Sequence, residues 1–234
     1  MRASDGAASK RFYDVVLATL GVEKHDGDGW IAWGPYEFFV LEDPAFTRRL
    51  HVGFTAPTRE HVHAFWNAGS DAGYASDGDP GPRPQYGSTY YGGFLLDPDG
   101  NSAEAVHHDS VRDRGPIDHM WLRVADVEAS TRFYETIATH AGLFVRRASP
   151  DRSQIVGDSG SFSVVAGDEP TENVHIAFPA TDDATVDAFH RVATQAGYRD
   201  NGPPGEREYH PGYYAAFVLD PDGNNVEVVN HNRG

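Results

Sequence analysis

The chain has 234 residues, of which 39% are hydrophobic and 12% aromatic, enough for one or two packed cores, which excludes wholesale disorder. The charge balance of 19 basic against 35 acidic residues, a net of -16, argues against nucleic acid or an anionic membrane surface as partner and for a soluble, self-repelling surface. Cysteine is absent, so disulfides, thiolate nucleophiles, Fe–S clusters and Cys-type zinc sites are excluded, and any metal must be held by His, Asp, Glu or water.

In chain order, Met1 to Ser9 has no apolar signal core and no stretch approaches a membrane span, so a cytoplasmic location is expected. The chain then repeats itself. Ala8-Ser-Lys-Arg-Phe-Tyr13 matches Ala129-Ser-Thr-Arg-Phe-Tyr134, and His51-Val-Gly-Phe54 matches His175-Ile-Ala-Phe178. Ala64-Phe65 and Gly73-Tyr74 match Ala188-Phe189 and Gly197-Tyr198. Leu96-Asp-Pro-Asp-Gly-Asn101 matches Leu219-Asp-Pro-Asp-Gly-Asn224, each preceded by a Tyr-Tyr pair (Tyr90–Tyr91, Tyr213–Tyr214) and followed by a glutamate, Glu104 or Glu227. Matches in one order with so little drift mark a tandem duplication, with modules at 1–112 and 113–234 and a polar linker near Asp109–Pro116.

The second repeat reads most clearly. Met120–Val124 is β-branched and apolar, a strand. Asp126 starts a helix carrying Val127, Ser130, Phe133, Tyr134 and Ile137 at three- and four-residue spacing. Short strands follow at Leu143–Arg147, Gln154–Val156 and Phe162–Val165, then a new strand at Val174–Phe178. A second helix spans about Asp183 to Ala196, and strands at Tyr213–Leu219 and Asn225–Val229 flank the turn Asp220-Pro-Asp-Gly223. The order is βαβββ twice per repeat, with its weakest strand near Arg199. The acidic stretches Asp26–Asp28 and Asp182–Asp183 read as solvated turns and a helix start, and His107, His108 and His231 as solvated residues after the last strands. The tryptophans Trp30, Trp33, Trp66 and Trp121 read as core packing, with stacking on a ligand as the alternative.

Ile117-Asp-His-Met-Trp-Leu-Arg-Val124, Phe133-Tyr134, Val174-His-Ile-Ala177 and Leu219-Asp-Pro-Asp-Gly-Asn-Asn-Val-Glu227 together resemble the vicinal oxygen chelate superfamily of glyoxalase I, extradiol dioxygenases and bleomycin resistance proteins. The resemblance implies an α+β fold: a tandem repeat of paired βαβββ units forming cupped mixed sheets. It also implies a divalent metal (Fe, Mn, Ni or Zn) held by two imidazoles and a carboxylate. Two pairings are open. If each module closes on itself, the ligands are His119, His175 and Glu227, which is the preferred set because it comes from one contiguous module. If units pair across modules, one site holds His119 with His51 and Glu104, and the other His175 and Glu227, with Glu37 as a further candidate. The first module is expected to lack its first strand and the partner of His119; either the site is incomplete or the true start lies upstream.

The segment Asn201–Tyr213 reads as a shaped loop closing one end of the cup. His210 and Tyr209 are its candidate acid–base residues, and Arg207 and Tyr213 its candidate substrate contacts. The dioxygenases place a tyrosine ten residues before the carboxylate ligand, where this chain has Phe94 and Phe217. Ser161-Phe-Ser-Val164 lacks the carboxylate that a glyoxalase places in that region. The expected function is a metal-dependent lyase or dioxygenase acting on a small oxygen-bearing substrate. The alternative is a metal-free, bleomycin-resistance-like protein binding a small cationic ligand. A monomer or weak homodimer is expected.

Overall fold

The computed structural model describes residues 1–27, 30–34, 37–109, 115–157 and 160–232. Most of the linker read from the sequence, Asp28 of the first acidic stretch, and Tyr36 beside Glu37 lie outside the described residues. The chain divides into two compact units, Met1–Trp121 and Leu122–Gly234.

Four βαβββ units follow one another: β1 (Arg2–Ala3), α1 (Gly6–Ala18), β2 (Lys24–Asp26), β3 (Ile31–Trp33) and β4 (Phe38–Glu42); then β5 (His51–Thr55), α2 (Arg59–Asp71), β6 (Ser76–Pro82), β7 (Tyr91–Leu96) and β8 (Ser102–His107). The third is β9 (Ile117–Val124), α3 (Val127–Ile137), β10 (Leu143–Ser149), β11 (Arg152–Gly157) and β12 (Ser161–Ala166). The fourth is β13 (His175–Pro179), α4 (Asp183–Gln195), β14 (Asp200–Glu206), β15 (Tyr214–Leu219) and β16 (Asn225–Asn230). Every unit orders its strands first, fourth, third, second. The first strand runs parallel to the fourth where the register is described (β1–β4, β5–β8 and β13–β16). The first module therefore keeps two residues of the first strand it was expected to lack.

Local chemistry explains the helices. Asp5, Asp126 and Asp182 each accept a backbone N–H three residues on, from Ala8, Ala129 and Thr185, capping α1, α3 and α4. Phe12, Tyr13, Val16 and Leu17 of α1 are buried, as are Phe133, Tyr134 and Ile137 of α3, each set forming one apolar stripe. In the first unit these residues pack with Trp33, Phe38, Val52, Phe54, Phe65 and Leu95. Burial at roughly 25 cal/mol per Å2 of apolar surface makes such a cluster the main source of stability.

The weak strand expected near Arg199 is present, but it runs into the Pro- and Gly-rich segment that the sequence reading gave as loop. Asp200–Glu206 is strand β14, as Ser76–Pro82 is strand β6, and each is last in its strand order. An outer strand tolerates proline because one row of its backbone groups needs no partner in the sheet. Shifts in register at Gly78 and Gly81, and at Gly202 and Gly205, fit the irregular composition into the ladder.

Candidate metal centre

The first unit contains a cluster of two imidazoles and one carboxylate. His51 opens β5, Glu104 lies in β8 and His119 in β9. Parallel pairing sets Gly53 opposite Glu104, and antiparallel pairing of β5 with β9 sets Gly53 opposite His119. The alternation of side chains along strands then puts all three groups on one face. His51 Nε2 lies 3.1 Å from Glu104 Oε2 and 3.2 Å from His119 Nε2, and His119 Nε2 lies 3.4 Å from Glu104 Oε2.

Each ligand atom is held from behind. Asp118 Oδ1 accepts from His119 Nδ1 at 2.9 Å, and Asp118 Oδ2 is 3.0 Å from His108 Nε2. His51 Nδ1 lies 3.1 Å from Ser102 Oγ. The Tyr90 hydroxyl donates to both oxygens of Glu104 at 2.9 and 3.0 Å, and its ring stacks on His108 with centroids 5.8 Å apart. The Asp118 carboxylate, an acceptor only, fixes the His119 tautomer, and the Ser102 contact orients the His51 ring, leaving both Nε2 atoms aimed inward.

The electrostatics follow from this packing. Burial pushes the Glu104 carboxyl up, but hydrogen bonds from His119 and His51 outweigh it and hold its pKa below the ordinary range. Burial likewise works against the charged form of Asp118, yet His108 and His119 hold it well below the usual carboxylate range. Burial lowers the His119 pKa, while hydrogen bonds to Asp118 and Glu104 raise it more, for a net rise to about 9. Burial, then the charge of Glu104, pushes the Tyr90 phenol up, so it stays a donor.

Two imidazole nitrogens and a carboxylate oxygen, all within 4.8 Å of one another, fit a divalent metal bound on one face. Three electron-pair donors converging on one point are otherwise held together only by shared protons. Around them stand the rings of Phe94, 5.9 Å from His51, and Trp121, 6.0 Å from His51 and 6.5 Å from His119, with Tyr86 packed on Trp121 at 5.5 Å.

The second unit carries a partial counterpart. His175 Nε2 lies 2.7 Å from Glu227 Oε2, and Tyr213 donates to Glu227 Oε1 at 2.6 Å. The structure therefore groups His119 with His51 and Glu104, and not in the contiguous set with His175 and Glu227 that was preferred from the sequence. The reason is strand pairing: β9 hydrogen-bonds to β5 through residues 117–121.

The sequence profile of the Glyoxalase/Bleomycin resistance protein/Dioxygenase superfamily matches residues 116–228. The match spans 113 of the 234 residues and marks a domain in the second half of the chain. Among solved structures, the chain is similar to glyoxalase I from Zea mays, at 21% identity and a TM-score of 0.69 over 98% of this chain and 90% of that one. It is also similar to a putative dioxygenase from Bacillus subtilis subsp. subtilis str. 168, at 15% identity and a TM-score of 0.67 over 100% and 84% of the two chains. At these identities the likeness is one of fold. No curated protein matches the chain in sequence.

The other candidates fall in the second unit. Arg207 donates to the Glu206 and Pro203 carbonyls at 3.0 and 2.6 Å and lies over the Phe217 ring; Arg83 does the same with Pro82, Asp79 and Phe94. A contact repeated in both units braces the loop. Tyr209 is exposed and packs edge-on against Tyr213. His210 Nε2 lies 2.9 Å from His231 Nδ1, and its Nδ1 2.9 Å from the Pro211 carbonyl. His107 Nδ1 lies 3.0 Å from the Ala56 carbonyl, so the three histidines after the last strands are hydrogen-bonded, not merely solvated. Glu37 is exposed, with burial of part of its carboxyl raising its pKa. Trp33 is core, whereas Trp121 borders the cluster. Sequence reasoning missed Asp118, Tyr90 and His108; the signals were the Asp-His dyad opening β9 and the repeated Tyr-Tyr pair.

Proposed function

We propose that the chain is a divalent-metal-dependent enzyme whose centre is His51, Glu104 and His119, acting on a small substrate with neighbouring oxygens. The observation that supports this reading best is the convergence of three ligand atoms whose far sides are tied to Asp118, Ser102 and Tyr90. A bound Fe, Mn, Ni or Zn would act as a Lewis acid toward those oxygens. Three ligands on one face leave the opposite side for substrate. Asp118 keeps the His119 Nδ1 proton in place, so Nε2 is the free donor atom. Tyr90 steadies Glu104 in its ionised form. Trp121 and Phe94 give the approach an apolar wall that excludes water and sharpens polar interactions inside it. Phe94 pairs directly across from Glu104, so that position offers no phenol for proton transfer, which supports a lyase over oxidative ring opening.

Elemental analysis of protein purified without chelators tests the reading. One equivalent of metal per chain is expected, with loss in His51→Ala, Glu104→Gln and His119→Ala. Retention in all three overturns it and leaves a metal-free binding protein.

A further inference from the structure

The two units share a His-Glu-Tyr arrangement but differ at two small residues beside it. Gly53, two residues after His51, corresponds to Ala177, two after His175; Gly53 pairs with Glu104 and Ala177 pairs with Glu227. Gly92, in β7, corresponds to Ala215 in β15. A Cβ at Gly53 would lie 2.5 Å from His119 Cε1, 2.7 Å from Nδ1 and 3.1 Å from Nε2. The imidazole therefore lies where a methyl group would stand. A Cβ at Gly92 would lie 2.2 Å from Glu104 Oε1. Both positions are open only because glycine occupies them.

We propose that Gly53 and Gly92 confine metal binding to the first unit, and that Ala177 and Ala215 make His175–Glu227 a metal-free pair. The proposal rests on the functional reading above. Any imidazole offered to His175 as His119 is offered to His51 would have to occupy the volume of the Ala177 methyl. The Ala215 methyl bars Glu227 from the carboxylate position that Glu104 takes. The contacts of Glu227 agree: its hydrogen bonds to Tyr213 and His175, at 2.6 and 2.7 Å, are shorter than those of Glu104 to Tyr90 and His51, at 2.9 to 3.1 Å. The two groups close on each other, whereas in the first unit they open toward a third donor.

Calorimetric titration with Zn or Ni, with elemental analysis after dialysis, is the test. Wild type is expected to take one equivalent per chain, and His175→Ala/Glu227→Gln also one. Gly53→Ala is expected to lose at least a hundredfold in affinity while the metal-free form keeps its unfolding midpoint, because the His119 ring yields before the backbone does. If Gly53→Ala does not fold, Gly53→Ala/His119→Ala, which removes the clashing ring, is expected to fold; failure there overturns the steric premise. Two equivalents in wild type, loss in the His175/Glu227 variant, or wild-type affinity in Gly53→Ala overturns the proposal. No metal in wild type overturns the functional reading and this proposal together, whereas metal that survives Gly53→Ala overturns this proposal alone.

Discussion

The clusters of the two units show how little sequence separates a candidate metal centre from an ion pair. Tyr90 and Tyr213, Glu104 and Glu227, and His51 and His175 hold matching places in the sequence repeat and make the same kinds of bond. What differs is the company. In the first unit Asp118 backs a third ligand, and Ser102 holds the second nitrogen of His51. In the second, Asn225 stands where Ser102 does and bonds instead to Asn201 at 2.9 Å. A carboxylate buried against one histidine is a satisfied group; against two, with a second carboxylate behind, it is a candidate cation site.

The comparison breaks most sharply at Asp118. Asp118→Asn is expected to weaken metal binding by about 10- to 100-fold, as for other residues that orient a ligand from behind. Competition with a chromogenic chelator measures it, and an unchanged affinity would sink the orienting role.

Acidity sharpens the comparison next. The His119 pKa of about 9 in the metal-free protein stands above the ordinary 6.5, so a proton must leave when metal binds. Affinity should rise with pH by up to about tenfold per unit between pH 7 and 9. His119→Asn should remove that slope. The metal-free protein should show the opposite trend. A raised histidine pKa contributes stability that is full below pH 6.5 and is lost as pH rises through about 9. A melting temperature that does not fall over that window, with metal absent, would count against the Asp118–His119–Glu104 coupling.

The smallest expected effect compares the two turns. Tyr13 donates to Asp97 at 3.0 Å, whereas the equivalent Tyr134 hydroxyl is buried without a hydrogen-bond partner among the described residues. Tyr13→Phe should destabilise by about 1 kcal/mol, because it removes a buried hydrogen bond. Tyr134→Phe should be neutral or slightly stabilising. Denaturant unfolding distinguishes them, and equal costs would erase the difference.

Much of this protein was legible in its residues. The duplication, the four βαβββ units and the helix starts at Asp126 and Asp182 follow from periodicity and capping, which are local. The candidate residues His51, Glu104, His119, His175 and Glu227 could be picked out too, because most of them sit in repeated motifs. The edge strand β14 was read only weakly, near Arg199, and its extent to Glu206 was not legible, since proline and glycine read as loop wherever the ladder's irregularity is unknown. Nor was the grouping of the ligands. Which histidine joins which glutamate depends on β9 pairing with β5, a contact between segments 68 residues apart at His51 and His119. Spacing along the chain carries no information about such a pairing, because strands of either partner would bury equally apolar faces. Tertiary structure alone decided it, and with it the importance of a missing methyl group at Gly53.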